Sequence, residues 1–330
     1  MKEDTLLLGF DIGGTKIALS LGDARGNIRS SARIDNVDTT PEEVTPVMIS
    51  LAKKLVAEAG ASMADIGAFG ISSPGPADYR GGVMTHPTNN LKWHNVPIRR
   101  IIEDGLGVRG FFENDANCAM LAEWFFGAAK GAKDAIYLTM STGIGAGIIA
   151  AGHLVTGRSG QAGEVGHVVL IPGGIKCNCG LNGCYEAYCG GKAIAARMRR
   201  ELADRPDAAV VKFAGSLENV DMVALEKAVR SNDPYAVRLW DEIMRLNAQA
   251  IGGFINSLNP EKVVLGTFAW AIGDLFMEPL LRYIPQFAWR EMLDVCDIIP
   301  SALKRDIGAY AGIAAALNGL YELGEYELPR

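Results

Sequence analysis

One pattern occurs twice in this chain and constrains its fold more than any other feature: an apolar strand, a polar glycine-bearing loop, then a second apolar strand. The first copy runs from Leu6 through Asp11-Ile-Gly-Gly-Thr-Lys16 into Ile17–Leu21. The second runs from Ala135–Met140 through Ser141-Thr-Gly-Ile-Gly145 into another apolar run. Both open as hairpins, unlike the strand–loop–helix start of a dinucleotide-binding unit. With 330 residues, too many for one compact core, the repeat predicts two α/β lobes.

The rest of the chain reads as alternating strands and helices. Asp23-Ala-Arg-Gly-Asn27 is a turn leading into a strand over Ile28–Ile34. Pro41 to Gly60 predicts a helix, with Pro and two Glu opening it and Gly closing it. Ile66–Ile71 and Val108–Glu113 predict buried strands, and Ala116–Phe126 a helix. A long amphipathic helix follows Asp233-Pro234 and stops at Asn259-Pro260. Lys262–Gly266 predicts a strand and Gly308–Leu323 a closing helix. The expected domains are 1–116 plus about 308–330, and 117–307.

Composition excludes several classes. Hydrophobic residues make up 49% and charged ones 21%, an ordinary globular balance. Net charge is −6, and no dense Lys/Arg run offers a face to nucleic acid; Arg197-Met-Arg-Arg200 reads as a solvated helix face. The first residues, Met-Lys-Glu-Asp, do not read as a signal peptide. Ala135–Gly157 lacks Asp, Glu, Lys and Arg and is long enough to span a bilayer. Its Thr139, Ser141, Thr142, His153 and five glycines read instead as strands joined by a polar loop, so no membrane role is expected.

The two glycine loops are suited to phosphate, because backbone N–H groups can approach where no Cβ intervenes. Asp11 ends its strand where a carboxylate can hold Mg²⁺ through water; Gly13 and Gly14 permit close approach, and Thr15 and Lys16 can donate. Thr142 and Gly143 offer the same chemistry in the second copy. A tight turn explains either loop alone, but the pair suggests a nucleotide clamped between two lobes. The Walker pattern is absent, and Gly143-Ile-Gly145-Ala-Gly147 lacks the dinucleotide spacing. Phe112-Glu-Asn-Asp-Ala-Asn117 places Asn114 and Asp115 where a strand gives way to a helix. There Asp115 either caps the helix or serves as a general base.

The chain has six cysteines, four of them between Cys177 and Cys189. Gly163-Glu-Val-Gly-His167 followed by Cys177-Asn-Cys179-Gly-Leu-Asn-Gly-Cys184-Tyr-Glu186 has the spacing of a structural Cys₃His zinc site in a reducing compartment. By spacing alone, Cys189 can replace His167 as fourth ligand. Ser72-Ser-Pro-Gly75-Pro76 and Asn89-Asn90-Leu-Lys-Trp93 are further loop motifs.

These motifs together resemble the ROK family (repressors, open reading frames, kinases) of the actin-like, hexokinase-like superfamily, through most of the chain and most specifically between Gly163 and Glu186. The resemblance implies a two-lobed, actin-like (ribonuclease H-like) α/β fold with ATP and sugar in the cleft between lobes. It implies a cytoplasmic, ATP- and Mg²⁺-dependent hexose kinase with Asp115 as base, glucose as leading substrate and a structural Zn²⁺. Gly75, Asn90, Asn114, Asp115, Glu164, His167 and Glu186 would contact sugar. Asp11, Gly13, Gly14, Thr15, Lys16, Thr142 and Gly143 would serve the nucleotide. His167, Cys177, Cys179 and Cys184 would hold zinc, with His167 turning its other ring nitrogen to the sugar. A homodimer or homotetramer is implied as well. The Asn-Leu-x-x-Trp stretch is one residue short, which leaves Asn89 and Asn90 interchangeable. Thr267 stands where the family has a glycine near adenosine. An N-acetylhexosamine kinase uses the same motifs. A sugar-responsive repressor of this family carries a DNA-binding domain before the first loop, where this chain has ten residues.

Overall fold

The computed structural model describes residues 4–87 and 92–328. The chain divides into two compact units, Met1–Lys133 with Gly147–Gly163 and Ala302–Arg330, and Asp134–Ala146 with Glu164–Ser301.

The first unit is built on a five-stranded sheet in the order Ile28–Asp35, Lys16–Asp23, Leu6–Ile12, Ile66–Ser73, Gly110–Asn114. The first three strands are antiparallel neighbours, and the last two join in parallel. Asp23 sets the turn predicted at 23–27 by accepting from the Arg25 and Asn27 amides. The parallel register sets Asp11 beside Ser72 and Ser73 beside Asn114, so polar residues gather at the carboxyl ends of adjacent strands. Helix Pro41–Glu58 starts with a Thr40–Glu43 capping box and covers one face, burying Val44, Met48, Ala52 and Leu55. Helix Ile307–Glu322 lies close on the sheet. A Cβ on Gly70 would meet the Gly312 carbonyl at 2.1 Å, so the close approach requires glycine there.

In the second unit, Ala135–Met140, Lys262–Leu265 and Asp297–Pro300 are parallel neighbours. Ile144–Ala150 follows the second glycine loop, and the division between units falls within it. Helix Pro234–Leu258 is capped by Asp233, whose side chain accepts from the Ala236 amide, and ends on Asn259 at φ 45°. The apolar run from Ala135 to Gly157 is strand and turn, and no helix among the described residues is long and apolar enough to cross a membrane. Arg197 lies on helix Gly191–Glu201 with 20% of its side chain exposed and pairs with Glu201 and Glu242.

The units divide elsewhere than expected. Residues 117–133, which hold most of helix Asp115–Phe126, residues 147–163 and residues 302–307 group with the first unit, where the sequence analysis placed them in the second. Packing explains this. Buried Glu123 accepts from the amides of Ala128, Ala302 and Leu303. Cys118 packs on Ala311 and Ala315, and a Cβ on Gly147 would strike Met120.

Candidate functional site

In the first unit, Asp11 is the penultimate residue of its strand, Gly13 to Thr15 form the turn, and Lys16 opens the next strand. The turn closes by Gly13 N donating to Lys16 O at 3.0 Å. Asn36, buried and far away in sequence, locks it: its Nδ2 donates to Gly13 O at 2.6 Å and its backbone N to Thr15 O at 2.9 Å. The Thr15 and Lys16 side chains remain exposed. Asp11 Oδ1 accepts from Ser72 Oγ at 2.9 Å. Burial pushes the Asp11 carboxyl up to about 6; the Ser72 bond opposes this and the charge of Asp115 adds to it. A divalent cation at Asp11 would restore the carboxylate, so the residue fits the Mg²⁺ role.

Asp115 is the first residue of helix Asp115–Phe126, and Asn114 is its N-cap. Asn114 Oδ1 accepts from the amides of Ala116 (2.9 Å) and Asn117 (3.3 Å), so capping does not explain Asp115. The Asp115 side chain is exposed to solvent yet closely surrounded by protein. These surroundings raise its carboxyl above the ordinary value, against hydrogen bonds from the Ala116 amide, its own amide and Asn114. Asn114 Nδ2 donates to the buried Tyr79 hydroxyl at 3.1 Å, and with its bond to Asp115 the amide ties the two groups together. Glu113 backs the pair by accepting from Asn114 N (2.8 Å) and Asn117 Nδ2 (2.9 Å). Gly75 precedes a cis peptide to Pro76, and a Cβ there would sit 3.2 Å from the Tyr79 hydroxyl.

In the second unit, Thr142 and Gly143 lie in the loop between Ala135–Met140 and Ile144–Ala150. Glu186 Oε2 accepts from Ile144 N at 2.7 Å at the loop's end. Glu164 Oε2 lies 4.0 Å from His167 Nε2, with 57% of its side chain exposed. The donor atoms of His167, Cys177, Cys179 and Cys184 lie within 4.8 Å of one another. Cys179 Sγ is 3.6 Å from Cys184 Sγ, and Cys177 Sγ is 3.7 Å from His167 Nδ1. A tetrahedral ion with Zn–S bonds of about 2.3 Å sets sulfurs about 3.8 Å apart, so the set fits zinc. Burial and the neighbouring thiols push Cys184 up to about 12, a crowding that a cation relieves. Cys189 is not in the cluster; its thiol donates to Ile243 O. The ring of His167 turns Nδ1 to the thiols and Nε2 to Glu164.

Asn90, and with it the choice between Asn89 and Asn90, lies outside the described residues. Thr267 opens the helix Thr267–Ile272. His86 packs against His94, and His153 pairs with Glu322, so none of the three joins a site residue. Asn36, Tyr79 and the backing role of Glu113 were missed. Only Glu113 carried a local signal, its place beside Asn114; Asn36 and Tyr79 act across 23 and 35 residues of sequence.

A sequence profile of the ROK family matches residues 7–318. The chain belongs to the ROK family. It is 33% identical over 302 residues to a glucokinase of Thermotoga maritima, covering 92% of this chain and 94% of that protein. A ROK hexokinase from Thermus thermophilus superposes with a TM-score of 0.82 at 33% identity, over 97% of this chain and 100% of that one. A ROK glucokinase from Streptomyces griseus, solved with glucose and AMPPNP, gives a TM-score of 0.74 at 29% identity over 94% and 98%. The fold is the actin-like sugar-kinase fold of these ROK proteins.

Proposed function

We propose that this chain is an ATP-dependent hexose kinase that phosphorylates glucose on its 6-hydroxyl. The observation that carries the reading is Asp115: an exposed carboxyl at a strand end, raised above its usual range and relieved of capping by Asn114. Such a group can take the proton of a sugar hydroxyl as that oxygen attacks the γ-phosphorus. Asn114 orients a neighbouring hydroxyl by exchanging its bond to Asp115 for one to the sugar. Relatives named glucokinase over nearly the whole chain support glucose as the sugar.

The other residues take roles that follow from their chemistry. Gly13, Gly14, Thr15, Lys16, Thr142 and Gly143 offer backbone and side-chain donors to phosphate oxygens. Asp11 would hold Mg²⁺, which supplies charge neutralisation of the phosphates when bound. Glu164 and Glu186 accept from sugar hydroxyls, His167 donates its Nε2–H to a sugar oxygen, and Gly75 lets the chain approach the ring closely. Cys177, Cys179, Cys184 and His167 Nδ1 would hold a structural zinc that fixes the segment carrying Glu186 and the orientation of the His167 ring. The test is Asp115→Asn under saturating glucose and ATP. Turnover should fall by about 10²–10⁴ with glucose binding retained; turnover within a factor of two of wild type removes Asp115 from the reaction.

A further inference from the structure

The Glu186 carboxylate is held by one of its two oxygens. Its Oε2 accepts from Ile144 N at 2.7 Å, at the end of the second phosphate loop. Its Oε1 makes no hydrogen bond among the described residues, which in the kinase reading leaves it to accept from a sugar hydroxyl. The carboxylate reaches the loop because residue 143 is glycine: a Cβ there would lie 2.5 Å from Oε2. Gly166, between Glu164 and His167, packs on the same point, since its Cβ would lie 2.2 Å from Ile144 O. The chain just after Glu186 pins the other side of the loop, with Gly191 N donating to Ser141 O at 2.8 Å and Lys192 N to Thr142 O at 3.0 Å. The Ser141–Ile144 backbone is therefore held by the segment that also presents the sugar-binding carboxylate.

We infer that Glu186 is a positioning residue for the nucleotide loop, and that sugar and nucleotide bind cooperatively through it. This rests on the kinase reading and deepens it. A hydroxyl donated to Oε1 fixes the rotamer of the side chain and so fixes the carboxylate on Ile144 N. The loop then presents the amides of Thr142 and Gly143 to phosphate in one geometry. By thermodynamic linkage, phosphate bound at the loop improves sugar affinity by the same factor. A glutamate that only touched sugar would leave nucleotide binding alone unchanged.

Calorimetric titration of zinc-loaded protein with Mg–AMPPNP, with and without glucose, tests this. In wild type, glucose should tighten AMPPNP binding about fivefold or more. Glu186→Ala should weaken AMPPNP binding about tenfold even without glucose and should abolish the cooperativity. Glu186→Gln keeps an acceptor for Ile144 N and should hold sugar-free AMPPNP affinity within about threefold of wild type. Gly143→Ala, which displaces the carboxylate from the loop side, should weaken glucose binding at least fivefold; should Glu186→Ala fail to fold, this variant decides. Sugar-free AMPPNP binding by Glu186→Ala equal to wild type, or glucose binding by Gly143→Ala equal to wild type, overturns the inference while leaving a working kinase. Wild type that binds neither ligand overturns the kinase reading itself.

Discussion

Replacing Asp11 by Asn should make the protein more stable at neutral pH while disabling it. Folding moves this carboxyl from 3.8 up to about 6, chiefly by burial. That gap corresponds to about 3 kcal/mol at 1.36 kcal/mol per decade. Below about pH 3 both states are protonated and the carboxyl costs nothing. As pH rises toward 6 the unfolded chain ionises first, so folded stability falls, and above pH 6 the folded protein carries the full cost. Solvent reaching the partly exposed group lowers the figure to about 1–2 kcal/mol. Asn retains the acceptor for Ser72 Oγ and removes the repulsion from Asp115. Urea unfolding in magnesium-free buffer should therefore show Asp11→Asn more stable than wild type by about 1–2 kcal/mol at pH 8 and equal to it near pH 3. A variant less stable than wild type at pH 8, or a difference that does not vary with pH, refutes the reasoning.

The other predictions concern the metal and the support of Asn114. Elemental analysis of protein purified without chelator should find about one zinc per chain, and Cys179→Ser should lower both the melting temperature and glucose affinity; protein without zinc removes the metal from the account. Tyr79→Phe deletes the acceptor of Asn114 Nδ2, and one net hydrogen bond of about 1 kcal/mol predicts a rise in glucose KM of about fivefold with ATP KM unchanged. An unchanged glucose KM would take Tyr79 out of the site.

Local patterns were legible in the sequence because they rest on local physics. The Asp11 and Ser141 loops, the Asp233-Pro234 start and the Asn259 stop are each set by residues within a turn or two. The Cys₃His cluster was legible because its ligands and glycines lie within eighteen residues. What the sequence concealed acts over long range. Asn36 locks the first loop from 23 residues away, and Tyr79 holds Asn114 from 35. The helix Asp115–Phe126 belongs to the first unit because Glu123 reaches amides 179 and 180 residues away. Short elements such as the four-residue strand Asp297–Pro300, which ends in proline, lack the length for a periodic signal. The sequence left the helix cap open to Asp115, and the structure gives it to Asn114.

The central claim is sugar-dependent phosphoryl transfer, and a coupled ADP-release assay tests it most directly. Wild type should be measured with Mg–ATP against glucose, mannose, fructose, allose, N-acetylmannosamine and N-acetylglucosamine. The account predicts ADP release that requires sugar, is fastest with glucose by kcat/KM, and yields glucose 6-phosphate. A kcat/KM at least tenfold higher for an N-acetylhexosamine contradicts the choice of sugar, and ADP release that no sugar stimulates contradicts the kinase.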